Sequence, residues 1–403
     1  MSVSPNSRVP QMVRPERWAV LSTFPPTQCG IATFSQALVT ALARQGIAAD
    51  VVRLTDAPSS PDSPAVVHQL LEGAAGAELA AAQVLNRYDL VIVQHEYGIY
   101  GGPDGERLLT VLAALKAPVL SVLHTVLSAP TARQRAVLQA VLDASQLLVT
   151  MTATARQRLI EGYVVDPASV LVIPHGAADA LLNPIPQRSE PAGAVPGRPM
   201  VLTWGLLGAG KGIEWAIEAM AALRDLVPRP LYMVAGRTHP RVLQREGERY
   251  RHGLQAQAQA LGVVPDVVFE DGYLSASTLH RLIHRADVVL LPYDSPEQVT
   301  SGVLIEAVAA GRPVVSTRFP HAVELLAGGA GVLVDQQDPA AIADALRGVL
   351  TEPGTAAGMS ARARGLAPSL SWHAVAGRYL AAGSRLRAGR PSATPVRSAK
   401  AMT

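Results

Sequence analysis

Glu306 follows the small, hydroxylated loop QVTSG at 298–302 and precedes Gly311 by five residues. An apolar run, Val288–Leu291, leads into that loop, and a second, Pro313–Ser316, follows the glycine. The spacing predicts a strand, a loop, a helix from Ser301 or Gly302, and a strand. A helix start carries backbone N–H groups without intrahelical partners, and its dipole adds positive potential there. Thr300, Ser301, Gly302 and Val303 are therefore candidates to hold an anion through their amides. The same pattern also fits an ordinary βαβ unit capped by Thr300 or Ser301.

A second candidate is GLLGAGKG at 205–212. Gly205, Gly210 and Lys211 have P-loop spacing, but Gly212 stands where a Ser or Thr would carry the magnesium-binding hydroxyl. No G-x-G-x-x-G opens either half of the chain, which removes the dinucleotide fingerprint. What remains is a glycine loop with one lysine, suited to a diphosphate, or a surface lysine in a loose turn. Only three lysines occur among 35 basic residues, so Lys211 stands out for its compact, rotatable ammonium. Arg237, in AGRTHP, is a further candidate cation.

Earlier in the chain, His124 ends one apolar run, and His95, Glu96 and Tyr97 end another, with Gly101 and Gly102 close behind. These are either loop residues bonding backbone or the walls of a second substrate site. Cys29 and Gly30 precede the helical pattern Ile31, Phe34, Leu38, Leu42.

Such residues need a scaffold that aims them at one another. Apolar runs predict strands at Trp18–Ser22, Asp50–Leu54, Leu90–Val93, Val119–Leu123, Leu147–Thr150 and Val170–Ile173. Helical patterns lie between them, including an Ala-rich one before residue 90 and one over Arg107–Leu115. After a proline-rich stretch at 183–199 the alternation restarts. Strands are expected at Met200–Trp204, Leu231–Ala235, Val267–Glu270, Val288–Leu291, Pro313–Ser316 and Val332–Val334. Helices are expected at Ile213–Leu226, at Val242–Leu261 as one long polar segment, around Leu279–Ala286 and at Ala340–Leu350. Alternation of this kind predicts parallel sheets covered on both faces, with function at the carboxyl ends of the strands.

The expected division is an N-terminal stretch 1–16 without order, a first Rossmann-like domain 17–182, a linker 183–199 and a second Rossmann-like domain 200–370. A segment 371–387 would pack back across the domains, and a Pro/Ser/Ala-rich tail 388–403 would be disordered. The net charge of +3, with much of the basic surplus near the ends, argues against a nucleic-acid surface. Cys29 is the single cysteine, which excludes a disulfide framework and a zinc cluster. No apolar leader or spanning run is present, so the chain reads as soluble and cytoplasmic, with membrane association peripheral at most.

Lys211 in its glycine loop, the PHG turn at 174–176, and above all the helix of Glu306 followed by AAGRPVVST resemble the retaining glycosyltransferases of family 4. The resemblance covers about residues 18–385 and is more specific in the second half. It implies an α/β protein of GT-B fold: two facing Rossmann-like, doubly wound parallel-sheet domains with a cleft between them. It implies a hexosyl transfer from a nucleotide diphosphate sugar to a hydroxyl acceptor, with no metal and no cofactor. In the family's spacing of two glutamates seven residues apart, Glu306 takes the second place, the one that holds the ribose hydroxyls. Gln298 then takes the first place, near the donor sugar, with Glu297 one residue off register. The family often has an arginine after the glycine that here is Gly205; this chain has Leu206. The resemblance gives His124 a contact to the donor sugar and gives Gly30 a backbone that approaches the phosphate. His95, Glu96, Tyr97, Gly101 and Gly102 line the same edge and are expected on the acceptor side, unless they form a hydrogen-bonded loop cluster. His175, where the family more often has asparagine, has no assigned role. Gln298 and Leu206 also motivate a different class: a GT-B-shaped partner protein without catalysis.

Overall fold

The computed structural model describes residues 16–58, 63–183, 197–272 and 274–388. All but residue 16 of the stretch 1–16, all but residue 388 of the tail 388–403, and most of the linker 183–199, where disorder or a linker is expected, lie outside these residues.

Seven parallel strands form the first sheet: β1 (Arg17–Thr23), β2 (Ala48–Thr55), β3 (Val66–Leu71), β4 (Leu90–His95), β5 (Val119–Leu123), β6 (Leu147–Thr150) and β7 (Val170–Val172). Their spatial order is β3-β2-β1-β4-β5-β6-β7. The connecting helices are α1 (Gly30–Arg44), α2 (Ala77–Leu85), α3 (Leu108–Ala114), α4 (Ala132–Asp143) and α5 (Ala153–Gly162). The central strands are mostly aliphatic because helices cover both faces; every residue of β4 and β5 is buried, including Gln94, His95 and Ser121. β3 was not expected from the sequence. It is the edge strand, VVHQLL, and its polar, partly exposed residues give no continuous apolar run.

The second sheet has six parallel strands: β8 (Met200–Trp204), β9 (Leu231–Ala235), β10 (Val267–Glu270), β11 (Val288–Leu291), β12 (Val314–Thr317) and β13 (Gly331–Val334). Their order is β10-β9-β8-β11-β12-β13. Around it lie α6 (Ile213–Ala222), α7 (Pro240–Glu246), α8 (Arg249–Ala260), α9 (Ala276–Arg285), α10 (Gly302–Ala309), α11 (Pro320–Leu326) and α12 (Pro339–Thr351). The single polar helix expected over Val242–Leu261 is two helices, α7 and α8, broken at Gly247, whose φ of +63° no helix tolerates. α11 carries Pro320 in its first turn, where proline fits a helix start although it masks the periodicity.

The chain then returns. α13 (Thr355–Leu370) lies along α10 in the second domain, and α14 (Trp372–Ala388) lies along α1 in the first. The crossing is closed by backbone: Ala177 N–H donates to Leu370 O at 2.7 Å and Trp372 N–H donates to Ala177 O at 3.0 Å. Gly383 lets α14 seat on Trp18, since a Cβ there would sit 2.4 Å from the indole. Trp18, Phe34, Trp372 and Tyr379 are buried together with the aliphatic face of the first sheet.

In both sheets the strand order reverses direction once, between β1 and β4 and between β8 and β11. Loops leaving the carboxyl ends at such points diverge and open a crevice. The two crevices face each other.

Candidate functional site

A cleft of about 1960 Å³ lies between the sheets and is walled by the loops after β1, β2, β4, β5, β8, β9 and β11. Its second-domain wall is built from α10. Ser301 caps that helix, its Oγ accepting from Leu304 N–H at 3.2 Å. The Ser301 amide is already used: it donates to Nδ1 of His321 at 2.8 Å, and Ser301 is buried behind the cleft wall. This corrects the expectation that Ser301 offers its N–H to an anion. Thr300, Gly302 and Val303 do line the cleft. Among the described residues no acceptor takes the amides of Gly302 and Val303, and Thr300 Oγ1 is buried without a partner. A Cβ at Gly302 would stand 2.9 Å from Nε2 of His175, so a side chain there requires that ring end to shift.

Lys211 approaches the same place from the loop after β8. Its Nζ lies 4.3 Å from the centroid of the Tyr293 ring, and no carboxylate among the described residues is within ion-pair distance. Burial pushes this ammonium down to about 8. The loop is held by contact of backbone on backbone. Gly212 has φ +64° and lies against Pro292 O, where a Cβ would come within 1.7 Å. That contact explains why no Ser or Thr follows the lysine: the P-loop hydroxyl has no space. Gly205, at φ +124°, lines the cleft and meets Gly236, whose Cβ would lie 2.0 Å from Gly205 O. Arg237 follows at the same wall.

Glu306 is half-buried, one turn into α10, with Oε2 accepting from the indole N–H of Trp204 at 3.2 Å. Burial raises its carboxyl to about 7, against the opposing pull of that indole. Gln298 also faces the cleft, and its amide donates to Thr300 O at 3.2 Å.

The first domain supplies the opposite wall. His124 Nε2 donates to Gln94 Oε1 at 2.7 Å, and its ring stands edge-on to Phe34, with centroids 5.0 Å apart. Burial pushes this imidazole down to about 3, so it is neutral. Glu96 accepts from Thr125 Oγ1 at 2.5 Å and from Tyr97 N–H at 3.0 Å, while burial raises its carboxyl. His175 donates from Nδ1 to Gly176 O at 2.7 Å, which leaves Nε2 bare and facing Gly302. Gly30 is the first residue of α1 and lines the cleft behind Cys29, which caps the helix with its sulfur.

Three acceptor-side expectations are corrected. His95 is 1% exposed and lies inside the sheet rather than in the cleft. Tyr97 is half-buried and packs against the first-domain core, and Gly102 is exposed and does not line the cleft. Glu96 and Gly101 remain on the wall. For His95 the reason is strand period: at the end of β4 successive side chains point to opposite faces, and the sequence does not say which face is covered. Tyr97 and Gly102 lie in the loop beyond the strand.

Some contacts were not legible in the sequence. Trp204 was read only as the end of a strand, and Gln94 as the residue just past one, whereas β4 runs on to His95. Glu297, one residue off the expected register, reaches across to the first domain and accepts from Ser128 N–H at 2.9 Å and from Arg158 at 2.8 Å. Arg241 of α7 likewise donates to Gly98 O. Among the described residues no three of His, Cys, Asp and Glu converge as a metal-binding group.

Residues 29–180 match the model of "Glycosyltransferase Family 4", and residues 185–366 match that of "Glycosyl transferases group 1". The chain belongs to the family 4 glycosyltransferases. Similar curated relatives include a D-inositol 3-phosphate glycosyltransferase from Corynebacterium jeikeium, 32% identical over 59% of this chain and 57% of that one. A glycogen synthase from Mycobacterium tuberculosis is 31% identical over 58% and 52%. The family 4 chain thus matches little more than half the length of these relatives. Among solved structures, a sucrose-phosphate synthase from Thermosynechococcus elongatus covers 93% of the chain and 100% of its own at TM-score 0.75 and 20% identity. HepE from Anabaena, in complex with UDP and glucose, covers 91% and 99% at TM-score 0.70 and 16% identity. These neighbours share the GT-B fold: two parallel-sheet α/β domains with a cleft between them. No helix among the described residues is long and apolar enough to cross a membrane.

Proposed function

We propose that this family 4 protein is a retaining hexosyltransferase that moves a sugar from a nucleotide diphosphate to a hydroxyl acceptor without a metal ion. The observation that carries the reading is the convergence on one cleft wall of Lys211 and the Gly302 and Val303 amides, none of which has a partner carboxylate or acceptor among the described residues, with Glu306 one turn further. A cation and a helix N-terminus suit a diphosphate, and a carboxylate at that distance suits the ribose diol.

In this reading the nucleotide sits against the second domain, with Arg237 and the backbones of Gly30, Gly205 and Thr300 beside the diphosphate. The acceptor enters along Glu96 and Gly101. As the glycosidic bond to the diphosphate lengthens, positive charge grows on the anomeric carbon, and Lys211 and the α10 amides stabilise the departing diphosphate oxygens. Gln298 and His124 hold sugar hydroxyls. The departing diphosphate takes the acceptor's proton on the face it leaves, so configuration is retained and no protein carboxylate is needed at Gln298. Closure of the cleft excludes water from the donor. A UDP-glucose-like donor is the natural first probe, given HepE. The phosphorylated acceptor named for the corynebacterial relative makes a polyol phosphate an acceptor to test. We place the activity in the cytoplasm, with membrane contact peripheral at most and no nucleic-acid partner.

The test is calorimetric titration with UDP, GDP and ADP, then donor turnover with candidate acceptors. Lys211→Ala and Glu306→Ala should each weaken nucleotide binding at least tenfold, and His124→Ala should mainly lower kcat. Wild-type affinity in both Lys211 and Glu306 variants would refute the site. Gln298 and Leu206 favour a second reading, a nucleotide-sugar-binding partner protein without catalysis. Tight binding with neither transfer nor slow donor hydrolysis would support that one.

A further inference from the structure

Trp204 is the last residue of β8, 4% exposed, with one edge on the cleft. Directly after it Gly205 turns the chain away at φ +124°, so the indole is fixed by its strand rather than by a loop. Its Nε1–H donates to Glu306 Oε2 at 3.2 Å, and among the described residues it is the sole side chain that donates to this carboxylate. A carboxylate on a helix has rotational freedom about its last bonds. An indole donor anchored in a sheet removes that freedom, leaving Oε1 toward the cleft.

We propose that Trp204 is a positioning residue for the donor, its indole holding one oxygen of the Glu306 carboxylate so that the other is presented to a vicinal diol. The inference rests on the ribose role given to Glu306 above. Its logic is electrostatic: a neutral N–H donor favours the charged form of the carboxylate, while the surrounding protein disfavours it. Removing the indole should therefore cost binding most where Glu306 is protonated most easily.

Other titratable or charged groups face this region. Tyr293 follows β11, and its phenol is pushed up by burial. Lys211 lies over that ring. His175 of the first domain and His321 of α11 flank the start of α10, both held neutral by burial at about 4 and about 3. Arg364 of α13 lies against Gly311 beyond the far end of α10. Tyr293, His175 and His321 keep one charge state between pH 5.5 and 9 by these values, while Glu306 and Lys211 change theirs, Lys211 on the alkaline side.

The experiment compares full-length wild type with Trp204→Phe, which keeps an aromatic ring and removes the donor. Nucleotide Kd is measured with UDP, GDP and ADP from pH 5.5 to 9. The ratio of variant to wild-type Kd should be about tenfold near pH 6 and fall to about twofold at pH 9, where Glu306 ionises without help. A ratio of one, or a large ratio independent of pH, would overturn the proposal, the latter indicating packing alone. In a Glu306→Gln background the same substitution should show no pH-dependent ratio. If the wild type binds no nucleotide at any pH, the functional reading fails instead. The Trp204 contact is then judged from Tm against pH without ligand. The Glu306-dependent step in that curve, absent in Glu306→Gln, should move to higher pH in Trp204→Phe; an unmoved step overturns it.

Discussion

Glu297 and Arg158 meet across the cleft at 2.8 Å, joining the loop that carries Gln298 to helix α5 of the opposite domain. The same loop gives Val299 O to Thr152 Oγ1 at 3.1 Å. One turn of α11 away, Glu324 accepts from Ala153 N–H at 2.8 Å and Thr154 N–H at 2.9 Å, capping α5 from the other domain. The donor-side loop is thus also the seam between domains. Burial alone would push the Glu297 carboxyl up, but Ser128 and Arg158 outweigh it and hold it below its usual range.

Glu297→Ala should loosen this seam without touching the nucleotide wall. The pair is partly exposed, so its loss is worth about 1 kcal/mol, or about fivefold in the closed population. We expect kcat/KM for transfer to fall by about that factor, nucleotide Kd to change less than twofold, and small-angle scattering to show a larger radius of gyration. An unchanged radius with reduced nucleotide affinity would contradict the seam assignment.

Donor binding should follow a bell in pH. Glu306, raised to about 7, must lose its proton to accept from the diol, so binding weakens as pH falls through 7. Lys211, lowered to about 8, is charged below that value and loses its charge as pH rises through it. Calorimetry over pH 5.5–9.5 checks both limbs. Lys211→Ala should lose the alkaline limb only.

Stability carries the opposite signature at Glu306. A carboxyl raised from 4.5 to about 7 in the folded state contributes stability below pH 4.5 that is lost as pH rises to 7. Glu306→Gln removes that loss. It should raise unfolding free energy at pH 8 by about 2–3 kcal/mol at most while weakening nucleotide binding. Denaturant unfolding at pH 4 and pH 8 tests this, and equal effects at both would refute it.

Two glycines should separate packing from binding. A Cβ at Gly176 would enter the Trp372 ring at 2.3 Å, so Gly176→Ala should destabilise by about 1–3 kcal/mol and disturb the crossing to α14. At Gly302 the obstruction is the end of His175, a movable side chain. Gly302→Ala should keep Tm within a few degrees but weaken nucleotide binding, because the methyl stands at the α10 amides. Equal loss of Tm in both would show that Gly302 is also structural.

The periodicity of aliphatic runs and the helix-start chemistry at QVTSG decided that two parallel α/β domains would form and that Glu306 would sit one turn into α10. Those signals are local: strands buried on both faces are mainly aliphatic, and the hydroxyl of Ser301 caps the helix that begins beside it. Gly212 was readable as a departure from the P-loop, but its cause, the Pro292 carbonyl, belongs to another strand's loop. The tertiary structure alone decided which neighbours each group acquired. His95 was turned inward by strand period, the Ser301 amide was taken by His321 from twenty residues away, and Trp204 was set beneath Glu306 from 102 residues away. Contacts between residues far apart in the chain depend on strand order and register, which composition and spacing do not encode position by position. The sequence determined which groups could do the chemistry, and the packing of two sheets decided which of them face the cleft.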